Sequence, residues 1–594
     1  MVSTLRRGSR LGRLLALTLG LVILGGLLVG LDRGVTAQEQ PGAAGQNPAP
    51  EGAAAQYDQV RVINEQIAAQ WKANKLTPSR MTTDYEFIRR ASVDIIGRIA
   101  TPAEIQRFLQ DPPQTRRSQL IQRLLDSEDY SRNWANQWTV WLMTRSGQPK
   151  YHEEMQLWLE DQFARKDRGW DKIVTALLTA TGKNEDNGAA NYILASLGMP
   201  NPPSDQAEQG YDDFVPLTSR TTRLFLGLQT QCTQCHDHPF NPTWKQKNFW
   251  GVNAFFRQVK GDQPPSPDNK MMDLSTPLNL KDDPSVNKEP GVYYEERKGT
   301  VMFTRPVFLD GRKLPADSTK PRRQVLAEFV TTSPFFGKAY VNRMWGHFFG
   351  RGFTNPGPVD DFGDHNPVTH PLPANFPGID GLRKQYDEDP TLLDYLASQF
   401  QQYNYDPRVV ITWICNSEAY QLSSVANNTN DKQDAEPFFS RMLLKSMSPE
   451  ELFESLMVAT GAEYADKDTK NALRQQWMKN LIVNFGDDEG NEVTFNGTVV
   501  QALILMNGKE INDAVSSQDK GTVMAAMKLR TEKDILDHLF LAALNRPANE
   551  KEYRAVNNEV LYIQGGRVKN RNVQTLWQDL FWALLNSNEF ILNH

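Results

Sequence analysis

The chain has 594 residues, 39% of them hydrophobic and 23% charged, with a formal net charge of −6. That length is more than one core supports, so about two to four domains are expected, and 13 Trp and 28 Phe give them ample apolar material. Without residues 1–37 the balance is −10 and no Lys/Arg cluster remains, which argues against a nucleic-acid partner.

The first segment reads as a targeting signal. Arg6, Arg7, Arg10 and Arg13 precede an apolar run from Leu14 to Leu31, and Val35-Thr36-Ala37 places small residues before a cleavage point at Gln38. An uncleaved anchor is the rival reading, because the run is just long enough to span a bilayer. Both readings put the body outside the cytoplasm, in the periplasm or cell envelope. Membrane contact is then limited to the N-terminal segment, and only if it is uncleaved. Residues 38–56 are Ala, Gly, Gln, Pro and Glu, the composition of a flexible tether.

Helical periodicity starts near Tyr57, with Val60, Ile63, Ile67 and Trp71 forming an apolar stripe. Thr101-Pro102-Ala103-Glu104 is a helix start: a capping Thr, Pro in the first turn and Glu at the third position. Trp134, Trp138 and Trp141 follow at steps of four and three, which puts them on one helical face and predicts core. A Pro-, Asn- and Gly-rich loop, Gly198 to Pro216, leads to a helix carrying Leu217, Leu224, Phe225 and Leu228. This helix is expected to end at Cys232. Phe249, Trp250, Val252, Phe255 and Phe256 then mark an aromatic helix.

Between these helices lies Cys232-Thr233-Gln234-Cys235-His236-Asp237-His238-Pro239-Phe240, with two of the three cysteines and two of the eight histidines. Cys-x-x-Cys-His is the attachment pattern of c-type haem. Two thiols at this spacing reach both vinyl groups on one porphyrin edge, and the next histidine ligates the iron. Three other readings share the residues. Cys232 and Cys235 can form a local disulfide in an exported chain. The segment can be part of a zinc site with Cys232, Cys235, His236 or His238 as ligands, or His236 and His238 can hold zinc or iron with Asp361. The segment can also be a turn with no chemistry. His347, within an aromatic-rich stretch, is the candidate second haem ligand.

Residues 261–315 are interrupted by Pro264, Pro265, Pro267, Pro277 and Pro284. Gly291 to Arg297 and Thr300 to Thr304 read as two short strands about a Lys298-Gly299 turn. Beyond Arg322 the chain is helical again, with faces at Val325, Leu326 and Phe329 and from Tyr340 to Phe349. A polar set follows: Asp360, Asp361, Asp364, His365 and His370. It can bind a divalent cation, supply acid–base groups, or form ordinary capped turns. Leu392–Phe400, Val409–Cys415, Glu450–Thr460, Ile535–Leu544 and Trp577–Leu585 are amphipathic, and Ser448-Pro449-Glu450-Glu451 is a second helix start. Cys415 reads as a buried thiol. No phosphate loop, Gly-x-Ser-x-Gly elbow or His-Glu-x-x-His is present, which disfavours nucleotide enzymes and the usual hydrolases.

Several stretches resemble a known family pair. Arg89-Arg90, Asp94 to Arg98, Thr101-Pro102, Leu124 to Ser127, Tyr130, Trp134 and the Cys-x-x-Cys-His-Asp-His-Pro-Phe run look like the DUF1549, or PSCyt2, domain. Asn342 to Trp345, Phe348 to Phe353, Asp360 to Gly363, Leu392 to Ala397, Ser417 to Ser424, Asn545-Arg546-Pro547 and Trp582 to Phe590 look like its partner DUF1553, or PSD1. Many relatives carry a cytochrome c-like domain ahead of this pair, where this chain has its tether. The resemblance implies a planctomycete cytochrome-associated architecture rather than a particular activity.

The expectation is a mainly α protein of two helical domains, 57–260 and 316–594, joined by a Pro-rich segment, 261–315, with a small β element. The functional expectation is an exported haem c protein, with Cys232, Cys235, His236 and His347 as cofactor residues and a redox partner or envelope protein as its counterpart. Two alternatives stand beside it: a non-haem envelope scaffold clipped at the Cys pair, and a metal-dependent enzyme using zinc or iron at His236, His238 and Asp361.

Overall fold

The computed structural model describes residues 57–145, 147–262, 279–461, 474, 521–557 and 573–594. The residues expected to form a leader and a tether, 1–56, and Pro264, Pro265, Pro267 and Pro277 lie outside these residues. The protein is mainly α. Its longer helices are α1 (Asp58–Ala73), α2 (Asp84–Ile96), α3 (Pro102–Gln110), α4 (Arg116–Leu125), α5 (Glu128–Met143), α6 (Pro149–Ala164), α7 (Trp170–Thr179), α8 (Val215–Leu226), α9 (Gln246–Asn253), α10 (Arg322–Thr331), α11 (Pro334–Phe349), α12 (Leu392–Gln402), α13 (Pro407–Asn416), α14 (Pro449–Thr460), α15 (Glu532–Leu544) and α16 (Val573–Leu585). Among the described residues no helix is long and apolar enough to cross a membrane.

Local chemistry sets many of the helix starts. Thr83 with Glu86, Thr101 with Glu104, Thr391 with Asp394 and Ser448 with Glu451 each form a capping box. In each, the side chain at one end satisfies a backbone N–H at the other, worth roughly 0.5–2 kcal/mol per cap.

The sheets are small. β1 (Gly182–Lys183), β2 (Val259–Asp262) and β3 (Asn279–Asp282) form an antiparallel sheet in the order β1-β3-β2. β4 (Val292–Glu295) and β5 (Val301–Thr304) form the hairpin expected between the helical regions, with Tyr293 opposite Phe303. Gly299 at φ 83° takes the left-handed position that lets this turn close. β6 (Lys445–Ser446) pairs with β7 (Leu592–Asn593).

Among the described residues, packing forms two apolar clusters. The larger draws on both sides of the 261–315 segment, from Val60 to Met442. α11 lies within it and is buried from Phe336 to Phe349. Trp134, Trp138 and Trp141 of α5 are all buried there, as their spacing predicts. Trp138 lies 4.1 Å from Trp170 and stacks on Tyr340 at 5.9 Å. Cys415 is buried in the same cluster. The smaller cluster runs from Met447 to Ile591 and also includes Val93 and Ile99.

α2 therefore serves both clusters, and its polar residues do the joining. Arg89 donates to the carbonyls of Ala543 (3.2 Å), Glu589 (3.0 Å) and Phe590 (2.7 Å). Arg90 donates to the carbonyls of Tyr420, Leu422 and His594. Asp94 is buried and accepts from Tyr420 Oη (2.7 Å), Lys445 Nζ (2.8 Å) and Asn593 Nδ2 (2.7 Å). The Arg89-Arg90…Asp94 run thus clasps β6, β7 and the last helical turn.

Candidate functional site

The Cys-x-x-Cys-His segment sits between the end of α8 and the start of α9. α8 stops at Leu226 because Gly227 turns left-handed (φ 65°), with Gly227 N bonded to Arg223 O and Leu228 N to Thr222 O. Cys232 is not at the helix end, as the apolar spacing suggested, but on a separate 3₁₀ turn, Gln231–Gln234. Leu228 shares the face of α8 without continuing the helix, which explains the difference. The turn is pinned from below by buried hydroxyls. Thr230 and Thr222 are 2.7 Å apart at their Oγ1 atoms, and Thr233 Oγ1 donates to Thr230 O at 2.6 Å. The expected aromatic helix also ends early, at Asn253, with Phe255 and Phe256 just beyond it.

α9 fixes the turn from the other side. Gln246 Nε2 and Trp250 Nε1 both donate to the carbonyl of Gln234, between the two thiols, at 3.0 Å. Gln246 Nε2 also reaches Glu295 O of β4 at 2.7 Å, which ties the hairpin to the motif. Cys232 is half-buried, Cys235 is exposed, and both thiols are free. Burial pushes the Cys232 thiol up, and the nearby Asp361 carboxylate adds to the effect. An unactivated thiol of this kind is a poor nucleophile.

The two histidines of the segment are held differently. His236 is half-buried, and its Nδ1 lies 2.6 Å from the carbonyl of Asp237. In that tautomer Nδ1 donates and Nε2 keeps its lone pair. His238 does the reverse. Its Nδ1 accepts the backbone N–H groups of Phe240 (3.2 Å) and Asn241 (2.9 Å). Burial lowers the His238 pKa, while the Asp361 charge acts against that shift. Asp237 accepts from Gln246 N at 3.0 Å and pairs with Lys245 at 3.1 Å, contacts that hold its carboxyl below the usual range.

The loop after α11 closes over this segment. Phe362 N donates to Gly227 O at 2.8 Å, and the Phe362 ring lies where a Cβ on Gly227 would stand. This brings two adjacent carboxylates beside the motif in different states. Asp360 is buried and paired with Arg343 Nη2 (2.8 Å) and Arg223 Nε (3.8 Å), and it accepts from Gln229 Nε2 (3.3 Å). Asp361 instead meets His365 Nε2 at 3.0 Å. The rings of His238 and His365 are 5.3 Å apart. One donor atom from each of His238, Asp361 and His365 lies within 4.8 Å of the other two.

Of the residues expected to hold a metal, the structure brings His238 and Asp361 together and adds His365, while the His236 ring turns to its own neighbour's carbonyl. Sequence reading placed His365 in the polar set but could not pair it with His238, 127 positions earlier. The candidate haem residues also fall in two places. Cys232, Cys235 and His236 share the surface turn. His347 is buried on α11, walled by Trp134 (5.1 Å), Trp141 (5.9 Å) and Phe348 (5.3 Å). Contacts link it to the motif at several removes: Arg343 lies over Trp141, and Asp360 joins Arg343 to Gln229.

Two family models match the chain, both described as proteins of unknown function. PSCyt2 (DUF1549) matches residues 62–261 and PSD1 (DUF1553) matches residues 380–481. No curated protein and no solved structure matches the chain. The thiol turn, His236 and His238 lie inside the PSCyt2 region, while Asp361, His365 and His347 precede the PSD1 match. The chain thus carries a PSCyt2 region and a PSD1 region, which flank the loop that completes the site.

Proposed function

We propose that the protein is an exported c-type haem protein and a redox or electron-transfer component of the cell envelope. The observation that carries this reading is the state of the Cys232–His236 turn. Two free thiols and an imidazole share one short surface turn, with the carbonyl between the thiols locked by Gln246 and Trp250. The donor set fits the group. Cys232 and Cys235 are unpaired and so available for thioether bonds. The His236 Nδ1 contact to a backbone carbonyl is the support that an iron-ligating histidine needs, since it fixes the tautomer and leaves Nε2 for the metal. A bound haem supplies one-electron chemistry at its iron.

The chain's own residues do the rest. The Thr222–Thr230–Thr233 hydroxyl chain and α9 hold the turn rigid, which limits reorganisation at the attachment point. Cys235 is exposed and His236 half-buried, which puts that point at the surface, where a redox partner can dock. The basic, apolar leader supports export, and thioether attachment belongs on the extracytoplasmic side.

The test is a pyridine haemochrome spectrum of the full chain matured in the periplasm with cytochrome c maturation machinery. About one covalent haem per chain is expected, lost in Cys235→Ala and in Cys232→Ala. A fully matured preparation without covalent haem overturns the reading.

A further inference from the structure

The loop that closes over the thiol turn carries a second set of donor atoms, independent of the haem reading. We propose that His238, Asp361 and His365 form a non-haem site for a borderline first-row divalent cation such as Fe2+, Co2+ or Zn2+.

The donor chemistry selects the class of ion. Two imidazoles and one carboxylate suit Zn2+, Fe2+ and their neighbours, whereas Ca2+ and Mg2+ prefer all-oxygen sites. The spacing agrees. Metal bonds of about 2.0–2.2 Å at angles near 90–110° place neighbouring donors roughly 3.0–3.5 Å apart. Asp361 Oδ2 and His365 Nε2 are already 3.0 Å apart, and the His238 donor lies within 4.8 Å of both.

The electrostatics also agree. Arg343 and Arg223 neutralise Asp360, while among the described residues the ion-pair partner of Asp361 is His365. An ion at this point meets one carboxylate charge without an arginine competing for it. The side chains of His365 and Asp361 are partly exposed, so three protein donors leave coordination positions open to water or a ligand.

One rearrangement is required. With Nδ1 of His238 accepting two backbone N–H groups, the neutral ring carries its proton on Nε2. Ligation through Nε2 moves that proton to Nδ1, so loading must hand the N–H groups of Phe240 and Asn241 to water. Phe240, 70% exposed at the turn, leaves room for this.

The experiment is a Co2+ titration of the chelator-treated full chain, read by d–d absorption, with Zn2+ uptake followed by equilibrium dialysis. The expected result is one ion per chain, bound at least about ten-fold more weakly in His365→Ala and in Asp361→Asn. His238→Asn is the folding-neutral variant, because its Oδ1 can accept the same two backbone N–H groups while Nε2 is removed. It too is expected to weaken binding at least about ten-fold. The Cys232→Ser/Cys235→Ser double variant is expected to keep the ion, which separates this site from the haem turn. Absent uptake, unchanged binding in all three donor variants, or loss in the thiol variant alone overturns the proposal. Covalent haem content is scored separately: the His238, Asp361 and His365 variants are expected to keep it, and the thiol variant to lose it.

Discussion

Replacing Asp94 by alanine tests whether α2 joins the two apolar clusters electrostatically. Asp94 is 2% exposed and is the counter-ion of Lys445, whose side chain is 9% exposed. Lys445 keeps two carbonyl partners, on His347 (2.7 Å) and Phe348 (3.0 Å), but without Asp94 its charge is buried and uncompensated. Breaking a buried ion pair from one side costs about 3–5 kcal/mol. Tyr420 Oη and Asn593 Nδ2 also lose their acceptor, which places the cost at the upper end of that range. The assay is urea denaturation followed by Trp fluorescence, with hydrogen exchange at Met447, whose N–H bonds to Ile591 O, as the local reporter. That amide is expected to lose protection first. The double variant Asp94→Leu/Lys445→Met, which removes both charges, is expected to recover most of the loss. An Asp94→Ala protein within about 1 kcal/mol of the parent refutes the reasoning, and so does a double variant as costly as the single.

Gly227→Ala puts a Cβ at a left-handed φ, 2.4 Å from the Phe362 ring. Backbone strain of about 1 kcal/mol plus overpacking of about 1–3 kcal/mol predicts a loss of roughly 2–4 kcal/mol in thermal or urea melts. Because Phe362 follows Asp361, the same variant is expected to weaken cation uptake. His370 is buried against Phe353 and Phe439, and burial lowers its pKa to about 3. The neutral ring is favoured in the fold, so its stabilisation is complete above the unfolded value near 6.5 and is lost as pH falls towards 3. Between pH 7 and pH 5 this costs about 2 kcal/mol. His370→Asn does not titrate and tolerates the positive φ of 64°, so its stability is expected to fall less over that interval. Parallel pH curves for the two proteins contradict this account.

Local features were legible in the sequence because each depends on neighbours along the chain. The Thr101-Pro102…Glu104 start, the Ser448 cap, the buried Trp134–Trp138–Trp141 face and the β4–β5 hairpin all follow from spacing and side-chain type. Leu228 misled the reading of α8, since an apolar residue in helical register can lie beyond a left-handed glycine stop. His347 carried no signal of its surroundings, because an aromatic-rich helix reads the same whether its rings wall a cofactor or pack on Trp134. The meeting of His238 with Asp361 and His365 depends on the Phe362–Gly227 bond, which bridges segments 135 residues apart. Nor did the Arg89-Arg90…Asp94 run show what it binds, since its partners lie 326 to 504 positions downstream.

That clasp also sets an order of assembly. Three buried charged side chains, Arg89, Arg90 and Asp94, find their partners at Tyr420, Leu422, Lys445 and Ala543 and among the residues from Glu589 to His594. Until those residues are synthesised, α2 cannot bury Arg89, Arg90 and Asp94 without leaving them unpaired, a state too costly to persist. Contacts this distant in sequence are slow to close. The early helices therefore remain open until the segment from Tyr420 to His594 has been made.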